Sequence, residues 1–238
     1  MPRRESREAA HGRQPVCRGR GGKHRDGRRR LRDVADLRDT REAGYAKRLE
    51  TLSAAGWKRW LDVQAPYRWN VRRLELGYTL DIGCGIGRNL AHLGCNGVGL
   101  DHNPHAIEVA RERGCIAFTP EEFATSGYCR DGSFDALLFA HVVEHMHFDE
   151  AAALVGDHLR YLRPGGRVAL ITPQQAGFRS DPTHVEYMDP ARLRALLDHH
   201  GLAHERSYSF PFPRIVGGLF PHNEFVVVGL GPGAPAAR

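Results

Sequence analysis

The chain has 238 residues, enough for one domain with a full core. Hydrophobic residues make up 41% and charged residues 26%, which excludes a disordered or fibrous chain, and no apolar run approaches the length of a membrane span. The net charge of +6 sits at one end: residues 1–33 hold twelve Lys or Arg against four Asp or Glu, so the remainder carries −2, and charge-driven nucleic-acid contact rests on those first residues alone.

Residues 1–40 are rich in Arg and Gly and poor in apolar residues, so they bury too little surface to fold. An RNA-binding arm and a transit peptide are the functional readings. Glu5, Glu8, Asp26 and the lack of an apolar h-region speak against targeting. A solvated tail, or translated sequence ahead of a later start, is the plainer explanation. Residues 41–76 read as a helical segment. Tyr45, Leu49 and Leu52 recur at helical spacing, Trp57, Trp60 and Leu61 continue the stripe, Pro66 breaks it, and a shorter helix carries Val71 and Leu74.

Between 77 and 230, strand and helix patterns alternate, as in a parallel sheet covered on both faces. The expected strands are Thr79–Ile82, Gly97–Leu100, Cys115–Phe118, Ser133–Ala140, Arg167–Thr172 and two more around Leu202–Phe210 and Glu224–Leu230. Asn103 and Pro104 open a helix that Gly114 stops, Asp149–Leu162 is a second, and Asp189-Pro190 opens a third that ends at Gly201. Residues 231–238 are a Gly/Pro/Ala tail. The connections Pro173–Asp189 and Pro211–Pro221 are long, and loops of that length tend to be functional. Cys17, Cys84, Cys95, Cys115 and Cys129 are scattered and odd in number, with no C-x-x-C pair, so free thiols and a cytoplasmic location are expected.

The most informative stretch is Asp81-Ile82-Gly83-Cys84-Gly85-Ile86-Gly87, an acid and a glycine loop at the end of the first strand. A second acid, Asp101, ends the next strand. This is the layout of a nucleoside-binding βαβ unit. The dinucleotide fingerprint does not fit, because Arg88 occupies its third glycine position. A pyrophosphate over the loop would also meet the Asp81 carboxylate. A ligand with a cationic end suits that carboxylate. S-adenosylmethionine carries an ammonium, a sulfonium and a ribose whose hydroxyls Asp101 would accept.

The stretch Asp81–Gly87 resembles the first motif of class I S-adenosylmethionine-dependent methyltransferases, and Gly99-Leu100-Asp101-His102-Asn103-Pro104 resembles their second. The turn Leu162–Arg167 resembles the one before their fifth strand, so the likeness spans most of residues 75–230. It implies a doubly wound, seven-stranded, mostly parallel sheet of Rossmann-like type, its last two strands a hairpin with one strand antiparallel. Residues 41–76 would form an N-terminal helical cap. It also implies cofactor contacts from Asp81, Gly83, Cys84, Gly85, Gly87, Asp101, His102, Asn103 and His141. The turn carrying Glu121 and Glu122 would lie against the adenine. The acceptor is expected to be a small-molecule oxygen or nitrogen.

After the fourth strand comes His141-Val142-Val143-Glu144-His145. Read alone, His-x-x-Glu-His is a zinc-peptidase signature of inverted order. The signature follows directly on a strand, and a peptidase leaves the Asp81/Asp101 loop unexplained. The Glu-His pair also resembles that of the small-RNA 2′-O-methyltransferases, which hold a divalent metal with Glu-x-x-Glu-His and a later His; here His141 stands at the first position. Glu144, His145 and His184 are therefore the expected catalytic residues and the candidate metal ligands, meeting from neighbouring strand ends. A plain base at His145 or His184, a metal-dependent RNA methyltransferase and a non-catalytic cofactor-binding module stay open. Nothing in the sequence sets the oligomeric state.

Overall fold

A computed structural model describes residues 64–233. The expected N-terminal tail, the stripe from Tyr45 to Leu61 and residues 234–238 of the expected C-terminal tail lie outside the described residues. The helix α1 (Ala65–Arg72) starts with Pro66 in its first turn, where a missing N–H costs nothing, and ends by burying Val71.

The domain then runs β1 (Thr79–Ile82), α2 (Arg88–His92), β2 (Gly97–Leu100), α3 (Pro104–Glu112), β3 (Ile116–Phe118), α4 (Pro120–Thr125), β4 (Phe134–Ala140) and α5 (Phe148–Leu159). It continues with β5 (Leu162–Pro173), α6 (Gln175–Ser180), α7 (Pro190–His199), β6 (Ala203–Phe210) and β7 (Glu224–Leu230). The sheet order is β3-β2-β1-β4-β5-β7-β6. Strands β1 to β5 are parallel, and β7 runs antiparallel between β5 and β6. The fold is thus the seven-stranded, doubly wound one expected.

Alternation along the strands explains the two-layer core. In β4, Leu137 and Phe139 face one layer with Val155 and Leu193, while Ala136, Leu138 and Ala140 face the other with Val71, Leu74 and Val226. Each of the Leu, Val and Phe side chains, fully buried, contributes about 1.5–3 kcal/mol.

Three local expectations are refined. The turn at Thr119 is the cap of α4: the Thr119 hydroxyl accepts from the Glu122 N–H, and the Glu122 carboxylate accepts from the Thr119 N–H. Strand β5 begins at Leu162, pairs with Phe134, bulges through the Pro-Gly-Gly turn and resumes at Arg167. Within the described residues the cysteines are not all free: Cys95 and Cys115 are joined in a disulfide, while Cys84 and Cys129 are unpaired. Strands β2 and β3 run side by side from Val98 and Ile116, so the residues just before them meet across the ladder, a closeness that spacing in the chain does not reveal.

The chain leaves β3 at one edge and returns to β4 beside β1. The carboxyl ends of β1 and β4 therefore flank the point where strand order reverses, the crevice in which open α/β sheets bind ligands.

Candidate functional site

The crevice has a glycine wall and a histidine wall. Gly83 and Cys84 donate their N–H groups to Leu100 O at 2.8 and 2.9 Å, folding the chain back over β2. Gly85 donates to Asp101 Oδ2 at 2.8 Å, and Asn103 N donates to Asp101 Oδ1 at 2.9 Å. The second acid therefore also fixes the glycine loop, with carboxylate lone pairs to spare. A Cβ on Gly85 would meet nothing within 4 Å, so the loop's outer side is open to a ligand. A Cβ on Gly83 would lie 2.3 Å from Val142 Cγ2, so the two walls touch there.

Asp81 lies beneath the loop. It is 1% exposed, and neither carboxylate oxygen has a hydrogen-bond partner. Burial, and then the nearby Asp101, raise its pKa to about 8. The other expected cofactor contacts are more committed. Asn103 caps α3 by accepting from His105 N and Ala106 N. The His102 ring lies 3.7 Å from Asp101 Oδ1. Glu122 pairs with Arg111 at 2.6 Å besides its capping bond, and the Thr119 N–H and Arg111 hold its carboxyl below the usual range. Glu121 sits on the exposed first turn of α4.

His141 ends β4 at φ +60°, its side chain between two acids. Its Nε2 is 2.9 Å from Glu224 Oε1 and its Nδ1 is 3.3 Å from Glu144 Oε1. Burial by itself would lower this imidazole, but the close carboxylates of Glu144 and then Glu224 outweigh it, and the pKa rises to about 10. His141 is thus an imidazolium bridge. Glu224, at the start of β7, escapes sequence reading: it lies 83 residues further on, and its only signal is an acid opening an apolar strand.

Val143–His145 form a single 3-10 turn. His141 precedes that turn and His145 ends it, so the two do not share a helix face, and the peptidase arrangement is not formed. Glu144, His145 and His184 converge instead, with ligand atoms all within 4.8 Å of one another. Glu144 is fully buried, and neither of its carboxylate oxygens makes a hydrogen bond of good geometry. The Nδ1 of His145 lies 3.2 Å from Thr183 O and 3.1 Å from Thr183 Oγ1, and that hydroxyl donates to Asp181 Oδ1 at 2.7 Å. The Nδ1 of His184 lies 2.8 Å from Phe178 O. With Nδ1–H given to a carbonyl, each ring keeps its Nε2 lone pair for the cleft. The 181–186 loop is fastened to the turn because Val185 N and Glu186 N donate to Glu144 O.

A glycine loop with an acid on either side, at the switch point of a doubly wound sheet, defines a nucleoside-binding α/β protein. Residues 80–170 match the model of a family described as a methyltransferase domain. No curated protein matches the chain. Among solved structures, magnesium protoporphyrin IX methyltransferase from Synechocystis with bound S-adenosylhomocysteine aligns with TM-score 0.60 and 16% identity, over 84% of this chain and 100% of that one. An S-adenosylmethionine-dependent methyltransferase from Archaeoglobus fulgidus aligns with TM-score 0.54 and 17% identity, over 69% and 92%. The N-methyltransferase NodS from Bradyrhizobium japonicum aligns with TM-score 0.53 and 15% identity, over 70% and 94%. Likeness at such identities concerns the fold alone. Residues 80–170 thus match a methyltransferase domain, and the fold around them is that of S-adenosylmethionine-dependent methyltransferases.

Proposed function

We propose that the enzyme methylates an oxygen or nitrogen of a small molecule, with Glu144, His145 and His184 handling the acceptor. The observation that carries this reading is the convergence of those three side chains at the switch-point crevice, each imidazole anchored through Nδ1. Residues 34–238 lack the net positive charge a polyanion needs, which favours a small acceptor over RNA.

S-adenosylmethionine supplies a methyl group already activated on a sulfonium, so the chain has to orient the acceptor and take its proton. The unpartnered Asp81 carboxylate fits the ammonium end of that cofactor, and Asp101 retains acceptor capacity for ribose hydroxyls. The Nε2 of His145 or His184 accepts the acceptor's proton, and the Asp181–Thr183 pair steadies the His145 ring as it charges.

A second reading has a specific observation behind it. Two imidazole nitrogens and a buried carboxylate, whose other close partner is the His141 ring, are a donor set suited to a borderline divalent cation. Held there, it would polarise an acceptor hydroxyl.

The test is transfer of a labelled methyl group to a panel of phenols and amines by wild type, His145→Ala and His184→Ala, with and without a chelator. Loss of a positioned base should lower turnover by about 100-fold or more in at least one variant. Chelator inhibition reversed by added manganese selects the metal form, and indifference to chelator selects the free base. Full turnover by both variants overturns the reading.

A further inference from the structure

Seven large apolar side chains are exposed among the described residues, and five of them lie along the carboxyl edge of the sheet: Trp69, Val185, Phe212, Ile215 and Leu219. Ile215 and Leu219 are each 88% exposed, on and just after a 3-10 turn at Arg214–Gly218. A loop free to fold inward would bury such residues. This one is held in place.

Both arms of the 211–223 segment are clamped by the fully buried Asn223. Its Oδ1 accepts from Phe212 N at 2.9 Å, and its Nδ2 donates to Phe212 O at 3.1 Å. Phe220 N donates to Val216 O at 2.9 Å, closing the turn. Tyr67 on α1 donates to His222 O at 2.8 Å. The turn lies directly on Gln174, the residue after β5, since Gly217 has no room for a Cβ against that side chain. A fixed apolar surface open to solvent marks a binding site.

The clamp also sets the distance to the reacting centre. Glu224 follows Asn223 directly, pairs with Pro173 across the ladder and holds His141. The turn therefore stands about two strand spacings, roughly 10 Å, from the end of β4. It stands on the same carboxyl edge of the sheet as Glu144, His145 and His184.

We propose that the 211–221 segment is a shelf for the apolar part of the methyl acceptor, and that the natural acceptor is amphipathic. Its nucleophilic oxygen or nitrogen reaches the Glu144–His145–His184 cluster while an alkyl or polycyclic portion lies along Phe212, Ile215 and Leu219. The inference rests on the methyl-transfer reading of that cluster and adds the substrate class. Van der Waals contact and release of water from the apolar face supply the affinity; the polar cluster supplies the orientation.

The experiment is calorimetric binding to the full chain with S-adenosylhomocysteine present, so that no turnover occurs. The probes are 4-octylcatechol against 4-methylcatechol, and octylamine against ethylamine. Each buried methylene strengthens binding roughly fourfold, so three or four covered by the shelf make at least one octyl compound about 100-fold tighter than its short homologue. The Ile215→Ser/Leu219→Ser double variant, which changes only exposed side chains, should keep its melting midpoint and lose most of that gain. Two octyl compounds no tighter than their homologues, or a gain untouched by the double variant, overturn the shelf. So does a double variant that abolishes self-association of the chain or binding to phosphatidylcholine vesicles without altering the octyl gain; the occupant is then a second copy or a lipid surface. Binding is read without methyl transfer, so active His145→Ala and His184→Ala variants would remove the catalytic reading and leave the shelf standing.

Discussion

Asp81 concentrates the electrostatics of the glycine wall. Folded and ligand-free, its carboxyl keeps its proton up to about pH 8, whereas in the unfolded chain it ionises near the usual value of about 3.9. The folded state then holds more protons than the unfolded state across that window, so Asp81 makes the ligand-free protein less stable as pH rises through it. A cationic ligand head reverses the preference and favours the carboxylate. Binding of S-adenosylhomocysteine should therefore release about one proton near pH 7 and tighten from about pH 6 to 8. Calorimetry in buffers of differing ionisation enthalpy measures the release, and Asp81→Asn should abolish it. Asp101 works differently, since its oxygens already hold Gly85 N and Asn103 N. Asp101→Ala should cost roughly 1.5–3 kcal/mol of cofactor affinity and also lower the melting midpoint, because the loop loses its anchor. Unchanged affinity would remove Asp101 from the site.

At the scale of elements, the site depends on ties between strands distant in sequence. His141 bridges the end of β4 to the start of β7, reaching across β5. His141→Gln should lower the midpoint by roughly 5 °C at neutral pH, as expected for about 2 kcal/mol in a domain of this size. The raised imidazole pKa sets the sign: the bridge's contribution is complete below the unfolded value near 6.5 and fades as pH rises through about 10, where wild type and variant should converge. On the other wall, β1 and β2 approach closely at Gly97, where a Cβ would lie 2.1 Å from Thr79 O. Gly97→Ala must push the strands apart and should destabilise by on the order of 3 kcal/mol, read by denaturant unfolding.

At the scale of the molecule, one slightly acidic α/β domain follows a strongly basic leader. The leader's composition gives it no apolar periodicity with which to pack. Removing residues 1–36 should leave the melting midpoint and S-adenosylhomocysteine affinity unchanged. A fall of several degrees would show that those residues rest on the domain.

The strands and the longer helices were legible from local patterns, while the short helices α4 and α6 read as turn and loop. Asn103-Pro104 and Asp189-Pro190 start helices, and the apolar run at Phe134–Ala140 is a central strand buried on both faces. So was the glycine loop between two acids, since Asp81, Asp101 and the glycines sit within one βαβ unit. The meeting of Glu144 and His145 with His184 followed from neighbouring strand edges. The tertiary structure alone decided which ring nitrogen of each imidazole is engaged, because Thr183 and Phe178 carbonyls claim the two Nδ1 atoms. It also gave His141 to Glu224 and left the Asp81 carboxylate without a partner. The reason is physical. Helix caps and strand alternation are set by residues a few positions apart, whereas a side chain's charge state and partners depend on which distant strands the sheet lays beside it.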